Sequence, residues 1–266
     1  MAMSLVRSHA ETQAGYRELV LEAPTIAPLV RPGQFVHLRI PRLEHRLLRR
    51  PFSIYKADQD TLTILYKSVG TGTQLLTQVE QDEAVSLLGP LGNGFPEPRG
   101  DHVPLLVAGG YGVAPLYLLA SRMARTGVLF IGARTRADIL CDGEFEALGW
   151  DVQITTEDGS RGMQGLVTSA LDAWAENHAN AEAAELFACG PDGMLRATGE
   201  RAITHNWKGW LSLDKHMGCG MGACLACVQR IRQPDGSVEW ERVCRDGPIF
   251  EAREIVWEPE KEGDHE

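Results

Sequence analysis

Beyond the short, locally basic run Arg46-Leu47-Leu48-Arg49-Arg50, the chain has no block of basic residues, no long uninterrupted apolar run and no internal repeat. Its net charge is −10, so it offers no surface for neutralising phosphates, which argues against a nucleic-acid partner. The most apolar stretch, Val103 to Ala120, is broken by Pro104, Gly109, Gly110, Gly112 and Pro115. A buried strand running into a helix fits that stretch better than a membrane span. The N-terminus lacks the apolar segment of a secretion signal, so the expectations are a cytoplasmic location and no membrane. A GxGxxG fingerprint is missing, as is a second CxxC or CxxH pair. Cysteine is sparse, with six residues in 266, and Cys141 and Cys189 stand apart from the rest.

The other four cysteines are concentrated. Cys219, Cys224, Cys227 and Cys244 follow the spacing C-x4-C-x2-C and then, after sixteen residues, a final C. That is the ligand pattern of a plant-type [2Fe–2S] cluster. The short spacings place three thiolates on one tight loop, and the fourth returns from a hairpin. Gly218, Gly220, Gly222, Ala223 and Ala226 lie between the ligands, where small residues let backbone N–H groups approach sulfur. A structural zinc usually pairs two CxxC or CxxH units and a disulfide framework suits secreted chains, so both fit less well, though both remain open.

The 266 residues suggest two domains or slightly more, and 44% hydrophobic residues is ordinary for a globular protein. Residues 1–99 read as an antiparallel β-barrel. Gln34 to Ile40 and Thr61 to Tyr66 alternate with period two, as half-buried strands do, and turn signals separate the runs. Thr73 to Val79 reads as a short helix. Arg50-Pro51-Phe52-Ser53 combines a fork of donors suited to pyrophosphate with a stiff turn and a hydroxyl. Gly70-Thr71-Gly72-Thr73 offers free N–H groups at a helix start. Each is a weak signal alone, and their pairing on neighbouring strands strengthens both.

Residues 100–208 read as a doubly wound parallel-sheet domain. His102 to Ala108 is a continuous apolar run, the mark of a strand covered on both faces. Gly109-Gly110-Tyr111-Gly112 then opens a helix from Leu116 to Ala124, the strand–turn–helix start of a nucleotide fold. Gly127 to Gly132, Asp151 to Thr155 and Glu185 to Cys189 are further strands. The last runs into Gly190-Pro191-Asp192-Gly193 and a helix from Met194. Residues 209–266 hold the cysteine loop, a hairpin (Val228 to Ile231, Val238 to Val243) and an acidic tail from Glu258.

Arg-Pro-Phe-Ser, Gly-Thr-Gly-Thr, Gly-Pro-Leu-Gly-Asn-Gly-Phe (89–95), Gly-Gly-x-Gly-x-Ala-Pro and Cys-Gly-Pro occur in that order. Together they resemble the ferredoxin–NADP⁺ reductase superfamily. With the cysteine loop, the whole chain resembles the electron-transfer subunits of bacterial NAD-linked, two-subunit dihydroorotate dehydrogenases. The resemblance implies FAD held by Arg50, Pro51, Phe52 and Ser53, by Leu65, Tyr66 and Lys67, and by Gly72 and Thr73. It implies NAD(H) at Gly109, Gly110 and Gly112 with Cys189 near the nicotinamide, and a cluster on Cys219, Cys224, Cys227 and Cys244. The implied partner is an FMN-containing dihydroorotate dehydrogenase catalytic subunit, in a heterotetramer of two copies of each, serving pyrimidine biosynthesis. No residue of this chain is assigned a catalytic acid–base role. Met217, Met221 and Leu225 are candidates for the partner contact, and packing around the cluster explains them equally well. The basic run Arg46 to Arg50 is expected to serve flavin phosphate binding and partner contact. Arg134, Arg136 and Arg161 keep NADPH open. The alternatives are the flavin subunit of an NADH-dependent ferredoxin:NADP⁺ oxidoreductase, a sulfide dehydrogenase subunit, or a relay module without nucleotide binding.

Overall fold

The computed structural model describes residues 1–13, 15–43, 48–178 and 183–257. Part of the basic run expected at Arg46 to Arg50 (Arg46, Leu47) and the acidic tail lie outside the described residues.

Seven N-terminal strands form one antiparallel sheet. In chain order they are β1 (Ala2–Gln13), β2 (Tyr16–Glu22), β3 (Phe35–Arg39), β4 (Arg50–Ser53), β5 (Lys56–Ala57), β6 (Thr61–Lys67) and β7 (Ala84–Leu91). Their spatial order is β4-β3-β7-β1-β2-β6-β5. The sheet curls until β4 meets β6, with the Phe52 and Tyr66 rings 5.9 Å apart edge-on. Val6, Leu19, Leu21, Val36, Leu38, Ile54, Leu62 and Ile64 fill the interior. The helix α1 (Thr71–Leu76) starts two residues before the expected Thr73, because Thr73 reaches back. Its hydroxyl accepts the N–H groups of Val69 and Gly70.

The alternation in β3 and β6 predicts one wet face, and the structure covers both. Val36 and Leu38 point into the barrel core, whereas Phe35 joins the core of the second sheet. Leu62, Ile64 and Tyr66 also point inward, and Leu65 packs with Tyr16 and Tyr55 against the second domain. The outer faces of these strands are therefore domain interfaces.

The second sheet comprises β8 (Val103–Gly109), β9 (Val128–Ala133), β10 (Asp151–Thr156), β11 (Met163–Gln164), β12 (Ala184–Cys189) and β13 (Lys208–Ser212). All are parallel, in the order β11-β10-β9-β8-β12-β13. The continuous apolar run of β8 serves two cores: Leu105 and Val107 face one layer, Leu106 and Ala108 the other. On the first side lie α4 (Val167–Asn177) and α5 (Asp192–Thr204); on the second lie α2 (Val113–Arg122) and α3 (Asp142–Ala147). The helix α2 begins three residues earlier than expected. Pro115 lies in its first turn, where a missing N–H breaks no helical bond.

The third piece is woven into this sheet. The strand β13 straddles the expected boundary at 208/209 yet pairs with β12. After the hairpin β14 (Val228–Arg232) and β15 (Val238–Arg242), β16 (Ile249–Glu251) adds antiparallel to β13 as the sheet's last strand. The segment 89–95 bridges the barrel to the cysteine piece: the Asn93 N–H donates to Gly247 O at 2.6 Å, and its side-chain amide donates to Asp246 O at 2.9 Å.

Candidate functional site

The three parts meet around one cleft of about 1040 Å³. Ligand sites commonly measure about 300–1,000 Å³, so the cleft is at the upper end of that range. The barrel contributes Pro51, Phe52, Ser53, Leu65, Tyr66, Lys67 and Thr73 to its wall. The parallel sheet contributes Gly109, Gly110, Gly112 and Cys189 from the C-terminal ends of β8 and β12. The cysteine piece contributes Met217 and Pro248. A second cavity of about 450 Å³ shares Pro51, Phe52, Val69 and Thr73 with the first and adds Arg50 and Gly72. Each cofactor-binding residue expected from the sequence lines one of these two spaces.

Their chemistry differs along the cleft. At the outer end, the Arg50 guanidinium passes over the first turn of α1, where a Cβ on Gly72 would lie 3.7 Å from its Nε. A fixed cation beside free backbone N–H groups suits a pyrophosphate. The middle of the barrel wall presents aromatic and aliphatic faces. Lys67 lines the wall, but its ammonium bonds Asp138 at 2.7 Å, and the Tyr16 hydroxyl donates to the same carboxylate at 3.1 Å. This three-residue bridge clamps the barrel to the second domain. Asp138 went unnoticed in the sequence, where nothing marks it as an interdomain acid.

At the nucleotide end, the Gly109-to-Gly112 turn abuts the end of β12. A Cβ on Gly112 would lie 2.2 Å from the Cys189 carbonyl oxygen, so only glycine lets these strand ends close. Gly110 has φ +54°, in the left-handed region. Burial pushes the Cys189 thiol up to about 12, although Ser212 bonds it, so it is a neutral group in the cleft wall. Asp214, which the sequence reading did not single out, also lines the cleft. Desolvation by the surrounding walls, and then Asp192, raise its pKa. At the far end Arg134 and Glu157 line the cleft together, while Arg161 is ion-paired to Asp142.

The cysteine loop from Leu213 to Cys227 is neither helix nor strand. The Met221 and Ala223 N–H groups donate to Cys219 Sγ at 3.5 and 3.2 Å, and the Cys219 N–H donates to Cys224 Sγ at 3.4 Å. Burial acts to raise the Cys219 pKa, yet the Met221 N–H, the Cys224 N–H and thiol, and the Ala223 N–H outweigh it and bring the thiol down to about 6. Cys227 and Cys244 form a second, buried pair, with the Cys244 N–H donating to Cys227 Sγ at 3.4 Å. Burial, and then the shared bond with Cys227, push Cys244 up to about 12; the Gly222 N–H also reaches its sulfur. Among the described residues, no group of three or more His, Cys, Asp or Glu side chains is gathered as a single ion needs. Two thiol pairs ringed by N–H donors do fit a two-iron cluster, which takes two thiolates on each iron. Of the candidate partner contacts, Met217 packs against the core, whereas Met221 and Leu225 are 56% and 61% exposed.

Comparison with known proteins agrees with this arrangement. Residues 214–256 match the family described as the iron-sulfur cluster binding domain of dihydroorotate dehydrogenase B, and residues 106–200 match the oxidoreductase NAD-binding domain. The chain is 42% identical over 247 residues to a Bacillus caldolyticus protein named dihydroorotate dehydrogenase B (NAD(+)), electron transfer subunit, covering 90% of this chain and 92% of that one. The protein of the same name from Bacillus cereus (strain Q1) is 39% identical over 259 residues, covering 95% and 97%. A solved structure of an NADH-dependent reduced ferredoxin-NADP oxidoreductase superposes with a TM-score of 0.82 at 26% identity, covering 97% of this chain and 91% of that one. With a flavin-reductase fold, a cluster loop and full-length identity of this order, the chain belongs to the family of electron transfer subunits of dihydroorotate dehydrogenase B (NAD(+)).

Proposed function

We propose that this chain takes single electrons from an FMN-containing catalytic subunit that oxidises dihydroorotate, and delivers them as hydride to NAD⁺, in pyrimidine biosynthesis. The observation that carries this reading is the shared cleft, whose walls come from the flavin motif, the nucleotide turn and the cluster piece together. When bound, FAD exchanges hydride with a nicotinamide and single electrons with a cluster, so it belongs between the two.

The chain's own residues then have positioning roles. Arg50 and the first turn of α1 hold the pyrophosphate. Pro51, Phe52, Leu65 and Tyr66 wall the ring system, and Ser53 offers its hydroxyl to a ring heteroatom. Thr73 acts by holding the α1 turn in place, since its hydroxyl serves Val69 and Gly70. Lys67 acts through Asp138. The Gly109-to-Gly112 turn and Cys189 receive the nicotinamide dinucleotide. Cys219 and Cys224 bind one iron, Cys227 and Cys244 the other. The working units are residues 1–99 for FAD, 100–208 for NAD and 209–266 for the cluster. Met221 and Leu225, exposed beside the ligands, form the contact with the catalytic subunit, in a heterotetramer of two copies of each. The complex acts in the cytoplasm; among the described residues no helix is long and apolar enough to cross a membrane.

A second reading is the flavin subunit of an NADH-dependent ferredoxin:NADP⁺ oxidoreductase, favoured by the superposition over nearly the whole chain. An anaerobic absorption spectrum with NADH and NADPH titrations separates them. Flavin and cluster bands that bleach with NADH, and with dihydroorotate only when the catalytic subunit is added, support the first. Bleaching by NADPH or reduced ferredoxin without response to dihydroorotate would favour the second.

A further inference from the structure

His37 is a polar residue on the face of β3 that alternation assigns to solvent, and it is 0% exposed. Its strand lies between β4 and β7, with His37 opposite Pro51 of the flavin motif and Leu88. The ring leaves the sheet on the side covered by the cysteine loop. A Cβ on Gly220 would lie 2.6 Å from the ring Cε1, 2.7 Å from Nε2 and 2.8 Å from Nδ1. Gly220, at φ +72°, therefore lies over the face of the imidazole, one residue from the ligand Cys219, and the in-plane ring nitrogens run alongside the cysteine loop.

Neither ring nitrogen has a hydrogen-bond partner among the described residues. Burial, followed by the nearby Arg49 and Arg50 charges, lowers the His37 pKa to about 4, so the ring is neutral at ordinary pH and keeps one N–H to donate. A buried donor left unmatched costs on the order of 1–3 kcal/mol. The ring's neighbours on its own sheet are apolar: Phe35, with its ring centroid 5.7 Å away, Pro51 and Leu88. The loop above it carries the thiols of Cys219 and Cys224, and the Met221, Ala223 and Cys224 amides already donate to Cys219.

We propose that His37 donates its ring N–H to a sulfur atom of the bound cluster, and so both seats the cluster on the flavin sheet and tunes it. The proposal rests on the cluster reading of the four cysteines. A donor to cluster sulfur favours the reduced, more negative form. Because His37 pairs in register with Pro51, the residue that fixes the cluster's seat is directly opposite the motif that walls the flavin. His37 is a positioning and tuning residue that takes no part in bond making.

The test uses the holoprotein carrying ¹⁵N-labelled histidine, with the cluster reduced, studied by pulsed electron paramagnetic resonance. The expected result is a histidine nitrogen coupling and an exchangeable proton at the cluster. Both persist in His216→Gln, which removes the exposed histidine nearest in sequence to the ligands, and vanish in His37→Leu. The reduced-to-oxidised ratio of the cluster at a fixed potential falls about tenfold in His37→Leu, equivalent to about 59 mV for a one-electron couple. His37→Gln, which keeps an N–H donor, recovers part of that shift. A loaded wild-type cluster without histidine coupling overturns the proposal, as does His37→Leu with unchanged coupling and potential. If His37→Leu fails to fold, coupling that persists in His216→Gln still supports the proposal, and its loss there overturns it. A wild-type protein without iron and sulfide would sink the cluster reading instead.

Discussion

The cleft and the cysteine loop are built in opposite ways. The cleft is the gap left between two seven-stranded sheets, and its walls are held from behind by packed cores on both sides. The loop from Leu213 to Cys227 has no helix or strand, and Cys219, Met221 and Ala223 turn their backbone N–H groups to sulfur within it. A wall set by burial keeps its shape whether or not a ligand is present. Lys215 ties the loop's start to Asp192 at 2.8 Å, but the turn from Cys219 to Cys224 closes on its own thiols and so depends on the metal that joins them, and metal binding and local folding there are one process. The two regions should therefore fail independently.

The largest effect should come from breaking the loop alone. Cys227 is 2% exposed, and its sulfur accepts the Cys244 N–H. In Cys227→Ser, iron and sulfide content should fall by more than the roughly 10–100-fold typical of losing a ligand's supporting partner. NADH should still reduce the flavin, while electrons from the catalytic subunit should no longer arrive. Iron and sulfide analysis beside an NADH titration checks this. Loss of flavin along with the metal would show that the cleft depends on the cluster after all.

The converse variant breaks the cleft alone. Arg50→Gln removes the cation beside the first turn of α1 and keeps a polar side chain. A hydrogen bond to a charged group contributes about 1.5–3 kcal/mol, so FAD should bind about 10- to 150-fold more weakly. Cluster content should not change. Flavin release followed by fluorescence, with iron measured on the same sample, tests both halves.

The same division decides what was legible in the sequence. The four ligands stand out because cluster geometry forces their spacing, and β8 stands out because a strand covered on both faces must be apolar throughout. Arg50 to Ser53 and Gly109 to Gly112 are local wordings tied to local shapes. Contacts between distant segments leave no such mark. Asp138 holds Lys67 and Tyr16 across the domain interface, yet in sequence it is one acid among thirty-six. His37 occupies a polar position in an alternating strand, the pattern of a wet face, and only the cysteine loop folding over it makes it buried. The helix α1 starts two residues before the sequence pattern places it, because its cap is a side chain reaching backwards from Thr73. The weave of β16 into the second sheet is equally silent, since any short apolar strand can add to an open edge.

The smallest effect concerns the clamp that joins the two walls of the cleft. The bond from Lys67 lowers the Asp138 pKa below its usual 3.8; partial burial opposes this and Tyr16 assists it. A carboxylate with a depressed folded-state pKa stabilises the fold above its unfolded value, and that contribution disappears as pH falls through the lower, folded value. The side chains of Lys67 and Asp138 are 35% and 25% exposed, so solvent screens the pair. Asp138→Asn should therefore cost less than about 1 kcal/mol at neutral pH. The difference from wild type should be flat above about pH 5 and shrink toward zero only below the usual carboxylate range, and added salt should reduce it at neutral pH. Urea unfolding of both proteins across this range measures it. A loss well above 1 kcal/mol, insensitive to salt, would mean that Asp138 holds the Tyr16 hydroxyl and the domain interface by geometry more than by charge, and that the cleft is less self-supporting than its two cores suggest.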